Sequence, residues 1–280
     1  MTAEKDRSFQ KVRPPAVAGM FYPGNKKALA SSVKEYIAQA DLSALADPDR
    51  VRAIVAPHAG YIYSGPTAGY AYSALAAGRP AGRATIYLLG PAHRTWFSGI
   101  STGDFNLATP LGVAPTDRSK VEDLWALNER YQPLPEAHRD EHSLEVQVPF
   151  IQEIIPDFEL VPLLFGEAQP GPVGRDLAGR LRNEPQSRIV VSSDLSHFNE
   201  YETAQRLDHG FIADVLAGDQ AAVLDQRQGA CGRAPIVALM RVAAELGWTA
   251  HLLDYRNSGD TAGDKWRVVG YAAIAYTDRE

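Results

Sequence analysis

The chain has 280 residues, 45% of them hydrophobic, and its 34 acidic and 28 basic residues leave a net charge of −6. No basic run or aromatic–arginine cluster marks a nucleic-acid surface, and no apolar run approaches the roughly 20 residues of a membrane span. The single cysteine, Cys231, excludes a disulfide framework within the chain, and the start MTAEKDRSFQKVR lacks the apolar stretch of a signal peptide. A cytoplasmic protein is expected.

Residues 1–12 are polar and read as a flexible N-terminal tail, which leaves 13–280 as a single domain. Residues 13–23 are punctuated by Pro and Gly, so Phe21 and Tyr22 fall on a non-helical stretch suited to a pocket wall. Residues 26–40 predict an amphipathic helix with Leu29, Val33, Tyr36 and Ile37 on one face. The apolar run 51–56 predicts a strand that Pro57 ends, and His58 follows at its tip. Tyr63 lies in the turn beyond, and 66–77 predicts a helix. A second strand, 84–89, runs into Gly90-Pro91-Ala92-His93.

Residues 97–117 read as strand and loop with a turn at 109–112, and 119–131 as a helix. The polar cluster 138–143 leads into a helix carrying Leu144, Val148, Ile151 and Ile155. Ser143 suits the N-cap of that helix, which puts His142 just before its N-terminus. Strands are expected at 160–165 and 188–192, with a helix at 172–182 between them. The second of these strands exits into Ser193-Asp194-Leu195-Ser196-His197. Helices follow at 201–216 and 221–226, and a Gly-rich turn brings Cys231 to the start of a helix at 236–246. Two closing strands, 250–255 and 267–276, flank a polar loop expected to rim a pocket. Strands alternating with helices predict an α/β fold, one domain whose mostly parallel or mixed central sheet is flanked by helices.

Ligands of open α/β sheets collect outside the carboxyl ends of the strands. Three predicted exits deliver His58, His93, and Asp194 with His197, while Cys231 and His142 are further candidates. Imidazole, thiolate and carboxylate suit a transition metal such as iron, copper or zinc. Asp194 is expected to orient the His197 ring for acid–base work. The helix start beside Cys231 is expected to lower its thiol pKa. His138, His209 and His251 read as solvated or structural. No GxSxG elbow, P-loop or dinucleotide fingerprint is present.

The segments AGMFYP, APHAGYIYSG, LGPAHR, DEHSLEVQVPF, VPLLFG, VVSSDLSHF, CGRAPI and DKWRVVGYAAIAY follow one another over residues 14–276. Together they resemble the MEMO1 family, whose bacterial and archaeal members are called AmmeMemoRadiSam system protein B. The resemblance implies a fold similar to the class III extradiol (LigB-like) dioxygenases, which hold non-haem iron(II) with two His and one carboxylate. In MEMO-type proteins the matching set is two His and a Cys, which falls on His58, His93 and Cys231, with copper or iron as the metal. It matches Asp194, His197 and His142 to further motif positions near that pocket. Phe21, Tyr22 and Tyr63 are taken as its wall. No organic cofactor is expected. A small-molecule or peptide ligand is, as are AMMECR1-type and radical-SAM partners. Two readings follow: a metal-dependent oxidoreductase, and a non-catalytic metal- or ligand-binding protein on a retired dioxygenase fold. The thiolate favours copper(I) over iron(II).

Overall fold

Four strands with almost unbroken apolar sequence form the centre of the computed structural model, which describes Phe9 and residues 11–279. They are β1 (Val51–Ala56), β2 (Ala84–Pro91), β5 (Phe158–Phe165) and β6 (Ser187–Ser192), adjacent in the order β1–β6–β2–β5 and all parallel. Such strands are buried on both faces, which is why their sequences do not alternate. Short β3 (Ile100–Ser101) pairs antiparallel with β5, and β4 (Tyr131–Gln132) extends that edge. On the other side β9 (Val268–Thr277) runs antiparallel to β1, to the short β7 (His197–Asn199) and to β8 (Thr249–Asn257). The result is a mixed, nine-stranded sheet.

Helices cover both faces. On one, Ile54, Ile86, Leu88 and Leu160 pack with residues of α1 (Lys26–Ala38), α2 (Tyr61–Ala77) and α3 (Val148–Ile154). On the other, Val55, Leu89, Val161 and Val191 pack with α4 (Pro170–Leu181), α5 (Tyr201–Ala217) and α6 (Arg233–Leu246). Neighbours such as Ile54 and Val55 join opposite cores, as the period-two geometry of a strand requires. Gly69 permits the close crossing of α1 and α2, because a Cβ there would collide with the Tyr36 carbonyl. Among the described residues no helix is long and apolar enough to cross a membrane.

Several boundaries differ from the sequence reading. The tail expected over residues 1–12 lies mostly outside the described residues. Within it, Lys11 pairs with Asp104, and Val12–Arg13 forms a short parallel strand against Asn106–Thr109. Helix α2 begins at Tyr61 and carries Pro66 inside it, at the cost of one backbone hydrogen bond. Ser143 does not cap a helix. Its hydroxyl donates to the Pro91 carbonyl at 2.8 Å, and the chain makes a 3-10 turn, Glu145–Gln147, before α3 starts.

Candidate metal centre

β1, β6 and β2 are adjacent and parallel, so their carboxyl ends open side by side. His58, Asp194 and His93 each follow the last strand residue by two positions. Cys231 comes from the turn before α6. That turn reaches the strand tips because Gly232 lacks a side chain; a Cβ there would run into Ser193, whose hydroxyl accepts the Gly232 N–H at 3.0 Å. One ligand atom from each of His58, His93 and Cys231 lies within 4.8 Å of the others.

Hydrogen bonds decide which atoms face inward. The Ser192 hydroxyl donates its only proton to the Ser143 carbonyl at 2.5 Å and accepts from Gln147 Nε2 at 2.9 Å. His58 Nδ1, 2.8 Å from the same oxygen, must therefore be the donor. That fixes the tautomer and leaves the Nε2 lone pair toward Cys231 Sγ, 3.2 Å away. Gln147 is oriented in turn, since Tyr72 donates to its Oε1 while its Nε2 donates to Pro57 O. His93 is held by Glu141: its backbone N–H donates to Oε2 at 2.5 Å and its Nδ1 to Oε1 at 3.0 Å. Its Nε2 is left as the free ligand atom. This carboxylate–histidine arrangement is how proteins orient metal-binding imidazoles.

The titratable groups respond to these surroundings. Burial, with the nearby His93, pulls His58 down to about 3. Burial and then His58 pull His142 down to about 4. Both rings are neutral near pH 7, as ligation requires. Burial alone would raise Glu141, but the His93 ring and the Ser143 and His93 N–H groups hold it well below the usual carboxylate range. The sequence expectation for Cys231 is reversed. Burial, reinforced by Asp194, pushes its thiol well above the ordinary range, outweighing the favourable groups around the helix start. The thiol keeps its proton until a cation displaces it.

Other predicted residues are redistributed. Asp194 does not hydrogen-bond His197; its Oδ1 accepts the His58 and Ala59 backbone N–H groups at 2.7 and 3.2 Å, so it shapes the β1 exit. Burial raises its pKa against those bonds. His197 is exposed. His142 stacks on His93 with ring centroids 4.8 Å apart and meets Phe21 at 4.8 Å. Phe21, Tyr63, His142, Asp194 and His197 share the wall of a cavity of about 450 Å³, which Ser258 and Asp264 of the closing loop also line. Tyr22 is not in that wall. It is buried, and its hydroxyl donates to Glu145 Oε1 at 2.7 Å. His138 is buried against Ser101, whereas His209 is exposed and His251 bonds Thr277.

Sequence reasoning missed Ser192, Gln147 and Glu141 as orienting groups. Glu141 had a signal, a carboxylate beside a motif histidine in DEHS. Ser192 had none beyond ending a strand. A second metal-compatible group joins His93, Glu141 and His142. Glu141 already accepts four hydrogen bonds there, so it serves as an orienting group.

Fold and site define a single-domain α/β protein with a histidine–cysteine group, able to hold a metal ion, at the carboxyl ends of its parallel strands. Residues 13–275 match the family model described as Memo-like protein. The MEMO1 family protein MJ0403 of Methanocaldococcus jannaschii is 34% identical over 95% of this chain and 99% of its own length. MEMO1 family proteins of Archaeoglobus fulgidus and Desulfurococcus amylolyticus are 35% and 37% identical, each over 95% of this chain and 99% of its own. A solved structure, the uncharacterized protein JW3007 of Escherichia coli K12, aligns with 81% of this chain and 99% of its own at 14% identity, with a TM-score of 0.48. The chain belongs to the MEMO1 family.

Proposed function

We propose that this protein is a cytoplasmic, metal-dependent oxidoreductase that binds copper or iron through His58, His93 and Cys231, in a pocket related to that of the LigB-like dioxygenases. One observation carries the reading: three ligand atoms converge within 4.8 Å while the opposite nitrogen of each imidazole is committed to an orienting partner. The donor set fits a soft or borderline cation, and three protein ligands leave room for a substrate. When bound, the metal would supply Lewis acidity and redox capacity. The chain's own residues supply the rest. Ser192 and Glu141 hold the imidazoles, and Asp194 fixes the backbone that carries His58. His142, neutral and facing the cavity that also holds His197, is the group positioned to take or give a proton to a bound small molecule or peptide.

The test is metal content after anaerobic purification without affinity metals. Near-stoichiometric copper or iron in the wild type, lost in both Cys231→Ser and His58→Ala, is expected. A wild-type protein that is empty and refuses copper(I) and iron(II) would sink the metal reading.

A second reading, a non-catalytic metal-binding protein, draws support from Cys231 itself, since a thiolate suits tight copper(I) retention. Turnover of any product that depends on His142 or His197 rules it out. Partnership with AMMECR1-type and radical-SAM proteins is proposed on the family resemblance alone. Co-purification of the three purified proteins as one complex checks it, and separate elution at micromolar concentration counts against it.

A further inference from the structure

A second cavity borders the cluster itself and has a different character. It measures about 500 Å³, and His93 and Cys231 form part of its wall. Arg94, Arg227 and Arg233 also line it. They come from separate places: Arg94 directly after His93, Arg227 in the loop after the helix Gln220–Asp225, and Arg233 at the first position of α6. Among the described residues none of the three guanidinium groups has a hydrogen-bond or ion-pair partner. Glu167 is the only carboxylate in the wall, and it lies within 4.0 Å of none of them. Arginines elsewhere, such as Arg130, Arg182 and Arg256, each face a carboxylate. In a chain of net charge −6 this is a local concentration of unanswered positive charge. In a concave site, charge of one sign focuses the field and recruits the opposite ion.

We propose that this cavity is an anion-binding subsite. It takes a small molecule bearing at least two acidic groups, carboxylate or phosphate, and seats it beside His93 and Cys231. The guanidinium fork matches both oxyanions with paired N–H donors. The volume is that of a small-molecule site rather than a macromolecular surface. Phe97, Phe165 and Pro235 provide apolar wall for an organic body between the acidic groups, with the exposed Trp96 at the rim. The neighbouring cavity of about 450 Å³ sets Asp194 and Asp264 against a single arginine, Arg267, which directs the anion to the Cys231 side. The subsite deepens the metal-centre reading by giving the charge of the molecule placed beside it, and its formation does not require the metal.

The experiment is calorimetric titration of metal-free, full-length protein at low ionic strength with inorganic pyrophosphate and, separately, with phthalate. Saturable one-to-one binding of at least one probe is expected, with a dissociation constant on the order of 10–1000 μM. Arg94→Gln and Arg227→Gln, both at exposed positions, should each weaken it by about 10-fold or more. Arg206→Gln, on α5 and outside the cavity, should leave it unchanged. Pyrophosphate binding alone would make this a phosphate site, and phthalate binding alone a carboxylate site; either supports the subsite. No saturable binding, or equal weakening by Arg206→Gln, overturns it. Protein that binds the probe but refuses metal removes the metal reading and keeps the subsite. Protein that binds metal but no probe does the reverse.

Discussion

The Glu145 network is buried, whereas the strand-tip cluster buries His58 but leaves Cys231 half-buried and His93 exposed, and the two are wired in opposite ways. At Glu145 every oxygen is answered. Arg13 donates at 2.7 Å, the Ala16 and Val17 N–H groups at 2.7 and 3.0 Å, and the Tyr22 hydroxyl at 2.7 Å. This closes the extended N-terminal segment onto the turn before α3. At the strand tips the facing atoms are two imidazole lone pairs and a thiol, which meet at the Cys231–His58 contact, while the thiol also lies 3.6 Å from the Asp194 carbonyl. A buried carboxylate with both oxygens satisfied stabilises and locks a fold, whereas an unfinished cluster is stabilised by what it binds. Glu141 belongs to both. Its carbonyl accepts from Arg13 at 2.6 Å while its carboxylate orients His93.

The contrast breaks first at Glu145. Glu145→Ala leaves the Arg13 guanidinium buried without its partner and should lower unfolding stability by about 3–5 kcal/mol, measured by urea denaturation. Metal binding per folded molecule should survive. An unchanged midpoint would remove the distinction between the two networks.

Cys231→Ser should show the converse. Metal-free stability should stay within about 1 kcal/mol of wild type. Affinity for copper(I) should fall by about 100-fold or more in an anaerobic competition titration. A serine variant that keeps wild-type affinity means the thiol is not a ligand.

Glu141→Gln sharpens the comparison, because it disturbs orientation while keeping every ligand. Metal affinity should drop about 10- to 100-fold. The nitrogen chemical shifts of His93 should show loss of the fixed Nδ1–H tautomer. Unaltered shifts would mean that packing, not the carboxylate, sets the ring.

The smallest effect is on pH dependence. Burial, followed by the Arg13 charge, pulls His138 down to about 3, against about 6.5 when unfolded. Its folded pKa is depressed, so the neutral form's contribution is complete above about pH 6.5 and is lost as pH falls toward 3. The unfolded chain takes up the proton first across that window. Metal-free protein should therefore lose stability below about pH 6.5, with up to ~1 kcal/mol per pH unit coming from this residue. In thermal melts from pH 7 to 5, His138→Asn should show a shallower slope. Parallel slopes would place the acid sensitivity elsewhere, for instance at His58 or His142.

What the sequence by itself determined is whatever depends on a few consecutive residues. Apolar runs such as Val51–Ala56 specify strands buried on both faces, and Pro57 and Pro91 place a histidine at the next turn. Alternation of strands and helices specifies the α/β layering, and parallel strands bring their exits to one end. Tertiary structure decided the wiring. Ser192 meets His58 across 134 residues and Glu141 meets His93 across 48, so tautomer and ring orientation depend on strand order and on the path of the Glu141–Gln147 segment. The Cys231 thiol follows the same rule. Its place at a helix start is local and favours the thiolate, but burial and Asp194 are properties of the assembled fold and outweigh it. Tyr22 adjoins Phe21 in sequence yet enters the Glu145 network while Phe21 lines a cavity, because Phe21 closes a turn, its N–H bonded to the Val17 carbonyl, and Tyr22 leaves that turn.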